Sequence, residues 1–243
     1  MKTKLWGLTV LTAFAALSAR DARADTFTTG EIVSYTQSDW SLDAPASALL
    51  QADFGNVYAS NGFTLDVGVG HSISFDNATA VQAYIPTPGL AAALTSDQLD
   101  PLTTSSGVFG GDATALALDV NFSDFGVLHG TSSTPFGSLL LTGFTGSLSG
   151  LNGMSVRDLL ALAEAELGGS STLYDLEDLD SIAAQVTGGF EDGVVTQFAT
   201  DHIELPPSTS ETPLPAALPL FASALGAMGL LGWRRKRKNA LGA

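Results

Sequence analysis

Apolar residues recur along this chain with two different periods, and the periods assign its elements. Residues 63–69 alternate Phe63, Leu65, Val67 and Val69 with polar or small neighbours, the two-residue period of a strand with one buried face. Residues 115–125 repeat the alternation through Leu116, Leu118, Val120 and Phe122, which predicts another half-buried strand. Residues 72–85 carry Ile73 and Phe75, then Asp76-Asn77, then Val81 and Ile85 ahead of Pro86, a strand–turn–strand pattern. Shorter apolar sets predict strands over 26–40, 138–145 and 194–205. Residues 46–58 fit a helical face only roughly, and 86–111, rich in Pro, Thr, Ser and Gly, read as loop.

One segment has an unmistakable helical period. Val156, Leu159, Leu160, Ala163 and Leu167 share a face, Ser155 stands at the N-cap with Asp158 three residues on, and Gly168-Gly169 ends the run. A second helix is expected from Asp180 to Val186, ahead of Gly188-Gly189. Many short strands separated by turn residues predict a mainly β body over 25–205, an antiparallel β-sandwich with one or two short helices.

The two ends read as targeting segments. Lys2 and Lys4 precede an apolar run over 5–17 and an Ala22-Arg23-Ala24 site, the layout of a signal peptide (residues 1–24) cut before Asp25. Residues 206–213 form a Pro/Ser/Thr tether. Residues 214–233 then run 20 positions without a charge, the length of a membrane-spanning helix of ~30 Å. Arg234, Arg235, Lys236, Arg237 and Lys238 follow within the last segment, 234–243, and a basic cluster there is expected to stay in the cytoplasm.

Pro213, Leu214 and Pro215, followed by the apolar run and the basic cluster, resemble the PEP-CTERM sorting domain in its Val-Pro-Leu-Pro-Ala variant, with Thr212 in place of the Val. The resemblance implies recognition by an exosortase, after signal peptidase has acted at the other end. It implies a stay in the inner membrane before processing, then release to the cell surface or extracellular matrix. It also implies association with exopolysaccharide and biofilm.

Charge sharpens this picture. The chain has 10 basic and 25 acidic residues, but 25–212 holds 24 of the acids against Arg157 alone, a formal −23. Such a body repels nucleic acid and anionic lipid and attracts cations. There is no cysteine, so thiolate metal sites and cysteine nucleophiles are excluded.

Candidate chemistry is sparse. His71, His129 and His202 have no partner at metal-ligand spacing, and no G-x-S-x-G elbow occurs. Asp175, Glu177, Asp178 and Asp180 form the densest acidic cluster, a weak calcium candidate without the EF-hand order; Asp178 or Asp180 is expected to cap the second helix. Arg157 is expected to pair with a carboxylate. Asn121 sits in a glycosylation-like sequon inside an expected strand. The leading expectation is an exported, non-enzymatic envelope or matrix protein with no cofactor. The alternatives are a calcium- or carbohydrate-binding surface module and an exported hydrolase.

Overall fold

A computed structural model describes residues 27–42, 45–128 and 130–207. By its contacts the chain divides after Leu205, and the first unit contains nearly all of the described residues.

Helix α4, Val108–Phe125, is the centre of this unit. It replaces the strand expected over 115–125. The residues between the alternating Leu116, Leu118, Val120 and Phe122 include Ala115, Ala117 and Asp119, and these are buried too. The segment is therefore apolar around its circumference, as a helix enclosed by other elements must be. Ala and Leu are strong helix formers, and Gly126, in the left-handed conformation with φ 81°, ends the helix. The glycine pair at its start allows close approach. A Cβ at Gly110 would stand 2.2 Å from the Tyr84 hydroxyl, and one at Gly111 1.9 Å from the Gln37 side-chain oxygen.

Helices α5 (Val156–Leu167) and α6 (Leu176–Thr187) pack on α4 and on each other. The Ser155 hydroxyl accepts from the Asp158 amide at 3.1 Å, and Asp158 accepts from the Ser155 amide at 2.8 Å, so α5 begins with a closed capping box. Helix α6 begins one turn earlier than the sequence suggests. Its N-cap is Asp175, so neither Asp178 nor Asp180 caps it.

Around this trio lie α1 (Gln37–Ser41), α2 (Ala46–Val57) and α3 (Ala78–Tyr84). The Asp76-Asn77 pair does not turn one strand into another: the Asn77 side chain accepts from the Ala80 amide at 2.9 Å and starts α3. Strands β1 (Leu65–Val67) and β2 (Ile73–Phe75) pair antiparallel with Asp66 opposite Ser74, and β3 (Gln98–Leu99) joins β2 in parallel. Further along, β4 (Leu140–Leu141) pairs antiparallel with β5 (Ile203–Glu204), with α7 (Gln197–His202) just before β5. Half of the strand expected over 194–205 is thus helix, and only its last residues pair as strand. The one expected over 26–40 reduces to an isolated bridge at Ser34 followed by α1.

The mainly β sandwich is overturned. About 49% of the described residues are helical and 8% extended, in two small sheets that cannot enclose a core between them. The membrane-spanning helix expected of the chain is likewise not found. No helix among the described residues is long and apolar enough to cross a membrane, and residues 214–233 lie outside them.

Candidate functional site

The pairing of β4 with β5 brings the turn that follows β4 against α7. The Thr142 amide donates to the His202 carbonyl at 2.9 Å. Gly143 is required at the crossing: its φ is 73°, and a Cβ there would stand 2.5 Å from the Asp201 carbonyl oxygen. Asn152 then clamps the next residue. Its side-chain oxygen accepts from the Phe144 amide and its amide donates to the Phe144 carbonyl, both at 2.9 Å.

The outcome is a cluster of three rings. His202 lies 4.6 Å from Phe144 at 31° and 5.0 Å from Phe198 at 41°, centroid to centroid. His202 Nδ1 is 3.1 Å from the Thr142 carbonyl oxygen. A carbonyl can only accept, so Nδ1 is the donor there, and in the neutral ring Nε2 is an acceptor.

Opposite the rings stands one face of α6. Asp178, Ser181, Ile182 and Gln185 fall at i, i+3, i+4 and i+7 and line a cavity of about 280 Å³ with the rings. Gln185 donates from its amide nitrogen to the Ser181 carbonyl and hydroxyl oxygens, each at 3.1 Å. The Asp178 carboxylate makes no hydrogen bond among the described residues. One wall is thus aromatic, with Phe144 edge-on to Phe198 at 66°, and the other holds hydrogen-bonding groups that are not used up.

A larger cavity, about 440 Å³, lies between the end of α2, β1 and the last turn of α4. Most of its polar side chains are already matched. Asn61 donates to Asp66 at 3.1 Å, Asn121 to the Tyr58 hydroxyl at 3.3 Å, and Arg157 to Asp124 at 2.7 Å. A ligand there would have to break bonds to make them, which marks the smaller groove as the better site. Asn121 belongs to helix α4, not to a strand, and is partly buried against Tyr58.

The sequence candidates scatter. Asp178 and His202 meet across the groove, while Asp175 and Glu177 do not line it. Asp180, two residues beyond Asp178 on α6, turns instead to Asp112 of α4. His71 lies 3.4 Å from Asp97. No group of three or more acidic or histidine side chains among the described residues could hold a metal ion. His129, Ala22, Ala24, Pro213, Leu214, Pro215 and the cluster Arg234, Arg235, Lys236, Arg237 and Lys238 lie outside the described residues. Phe144, Phe198, Ser181 and Gln185 were not singled out in the sequence. The four-residue spacing of Phe198 and His202 would have placed them on one face had 197–202 been read as helix.

Four carboxyls are raised by burial, two of them buried on α4 and two partly buried on α5 and α6. Asp119 is fully buried and accepts from the Tyr35 amide at 3.0 Å and the Trp40 indole at 3.1 Å. Burial pushes it well above the usual carboxylate range against the pull of those donors. Burial raises Asp112 to about 7, and its neighbour Asp180 rises by burial too. Glu164 on α5 is raised to about 7 by burial alone.

No family model, no curated protein and no solved structure matches the chain.

Proposed function

We propose that this is an exported, non-catalytic envelope or matrix protein whose folded body holds a saccharide of the surrounding exopolysaccharide in the α6–α7 groove. The observation that carries the reading is the groove's two-sided character. A sugar ring has an apolar C–H face that stacks on aromatic rings, here Phe198 and His202. Its rim of hydroxyls donates to carboxylates and imidazole nitrogens, here Asp178 and His202 Nε2. A volume of about 280 Å³ equals roughly nine waters at ~30 Å³ each, room for about one sugar ring.

Serine, histidine and aspartate share the groove, which raises the hydrolase alternative. Ser181 Oγ accepts from Gln185 and makes no hydrogen bond to His202 among the described residues, so the contact that activates a serine nucleophile is not made. This favours holding a saccharide over cutting it.

The C-terminal motif Pro213-Leu214-Pro215 with its apolar run and basic cluster supports delivery by exosortase to the surface, where such a polymer lies. The deciding experiment is affinity electrophoresis of the protein recovered from the host surface, through gels containing host exopolysaccharide. Retardation that Phe198→Ala abolishes supports the reading. Migration unaffected by the polymer, or labelling of Ser181 by a fluorophosphonate probe, would sink it.

A further inference from the structure

A pair of carboxyls lies behind the helix that forms the polar wall of the groove, Asp180 on α6 itself and Asp112 on α4. Asp112, at the fifth position of α4, is only 7% exposed. One of its oxygens accepts from the Gln37 amide nitrogen at 2.7 Å. Gln37 is itself fixed, because its oxygen accepts from the Thr87 amide at 3.0 Å. Three segments therefore converge on one carboxyl: α1, the loop at Thr87, and α4. From α6 comes a second carboxyl, Asp180. Its Oδ1 is buried from solvent and has no conventional hydrogen-bond partner among the described residues.

Two ionised carboxylates cannot be held together in such a place without a cation. None is at hand. The described residues include one arginine and two histidines; Arg157 is bound to Asp124, His71 to Asp97 and His202 to Thr142. Apart from Arg157 on α5 and His202 on α7, the charged groups on the surrounding elements are acidic. Glu177 on α6 adds its field to Asp180; α1 brings Asp39, α4 itself Asp119, and α5 Glu164. A proton between Asp112 and Asp180 satisfies the orphaned oxygen and removes one charge, with the Gln37 bond undisturbed.

We infer that Asp112 and Asp180 share a single proton that clasps α6 to α4, and that losing it slackens the groove face of α6. The groove residues Asp178, Ser181 and Gln185 flank Asp180 on one helix. Loosening at Asp180 therefore withdraws the polar wall from the rings of Phe144, Phe198 and His202. The groove is firm in acid and loose above neutrality. That this gate governs saccharide rests on the function proposed above; the clasp itself does not.

Amide hydrogen exchange, followed by NMR on the full chain from about pH 5 to about pH 8 and corrected for intrinsic rates, tests both parts. In the wild type, protection of the α6 amides falls with a midpoint near the raised value of about 7. Asp112→Asn keeps an oxygen for Gln37 and puts a permanent N–H where the shared proton stood. Its α6 amides show no such transition, and at the alkaline end they are protected about tenfold or more better than the wild type. If that variant does not fold, Asp180→Asn removes the same titration from the other side and is read the same way. A transition that persists in the folded variant, or none in the wild type, overturns the clasp. Exopolysaccharide retardation that weakens with rising pH in the wild type but not in the variant supports the gate. Retardation lost at every pH, in a protein that still shows the exchange transition, supports the clasp and overturns the saccharide reading alone.

Discussion

Helix α4 buries two aspartates about two turns apart, and they are stabilised by opposite means. Asp119 is surrounded by donors: the Tyr35 amide reaches both of its oxygens, at 3.0 and 3.2 Å, and the Trp40 indole reaches one. Asp112 has one donor, Gln37, and faces another acid. The first is a fixed tie between α4 and the segment around α1, and it orients Trp40, whose ring meets Phe122 edge-on at 5.0 Å. The second is held only while a proton is present. The difference teaches that a buried carboxyl can be structural or switchable on the same helix, depending on whether its neighbours bring N–H groups or a second carboxyl.

The largest effect should come from breaking the fixed tie. Asp119→Ala leaves the Tyr35 amide and the Trp40 indole buried without partners, at a cost of about 1–3 kcal/mol each. Urea unfolding should show a loss of several kcal/mol; a loss of less than ~1 kcal/mol would mean that other groups take over the donors.

The switchable pair is next. Its folded value of about 7 lies above the ordinary 3.8, so the folded state keeps a proton that the unfolded state gives up. Its stabilisation is therefore complete below about 3.8 and is lost as pH rises toward about 7. Across that window the pair's own contribution to the folding constant should fall about tenfold per pH unit, in addition to the slopes that Asp119 and Glu164 bring, and the pair's component should vanish in Asp112→Asn. Equal slopes in the two proteins, measured by urea unfolding at several pH values, would erase the contrast with Asp119.

Glu164 sharpens the comparison as a partly buried acid with neither donor nor partner acid. Its value of about 7 has the same sign, so Glu164→Gln should stabilise the protein at alkaline pH and do little in acid. About 1 kcal/mol is expected after allowing for its remaining contact with solvent. A thermal melt of the pair at two pH values checks this.

The smallest expected change in stability is at the groove. Phe198 is only partly buried, so Phe198→Ala should alter the urea midpoint little while weakening saccharide binding by about tenfold or more. Loss of stability without loss of binding would make the ring cluster a packing feature.

Local signals were legible in the sequence where they sufficed. The Ser155–Asp158 box and the 3.6-residue apolar period specify α5 without help from the rest of the chain, and the structure has that helix at Val156–Leu167. Helix α4 could not be read this way. With apolar residues on every side it has no amphipathic period, and the alternation of Leu116, Leu118, Val120 and Phe122 imitates a strand. The acidic cluster was visible at 175–180, but not that its members diverge, with Asp178 at the groove and Asp180 at α4. Side chains two apart on a helix point about 200° from one another, so adjacency in sequence separates them in space.

By itself the sequence determined what depends on neighbours along the chain: the cap and face of α5, the existence of a helix before Gly188, the acidity of the body, and the basic and apolar patterning of the ends. Tertiary structure decided the rest. It enclosed α4, so that helix formation rather than sheet pairing satisfies that segment's backbone. It folded the 143–148 turn onto α7 through a two-residue sheet, which assembled the ring wall. And it set Asp112 against Asp180 across 68 positions of sequence, because burial of the apolar faces of α4 and α6 outweighs the cost of bringing two acids together once one of them holds a proton.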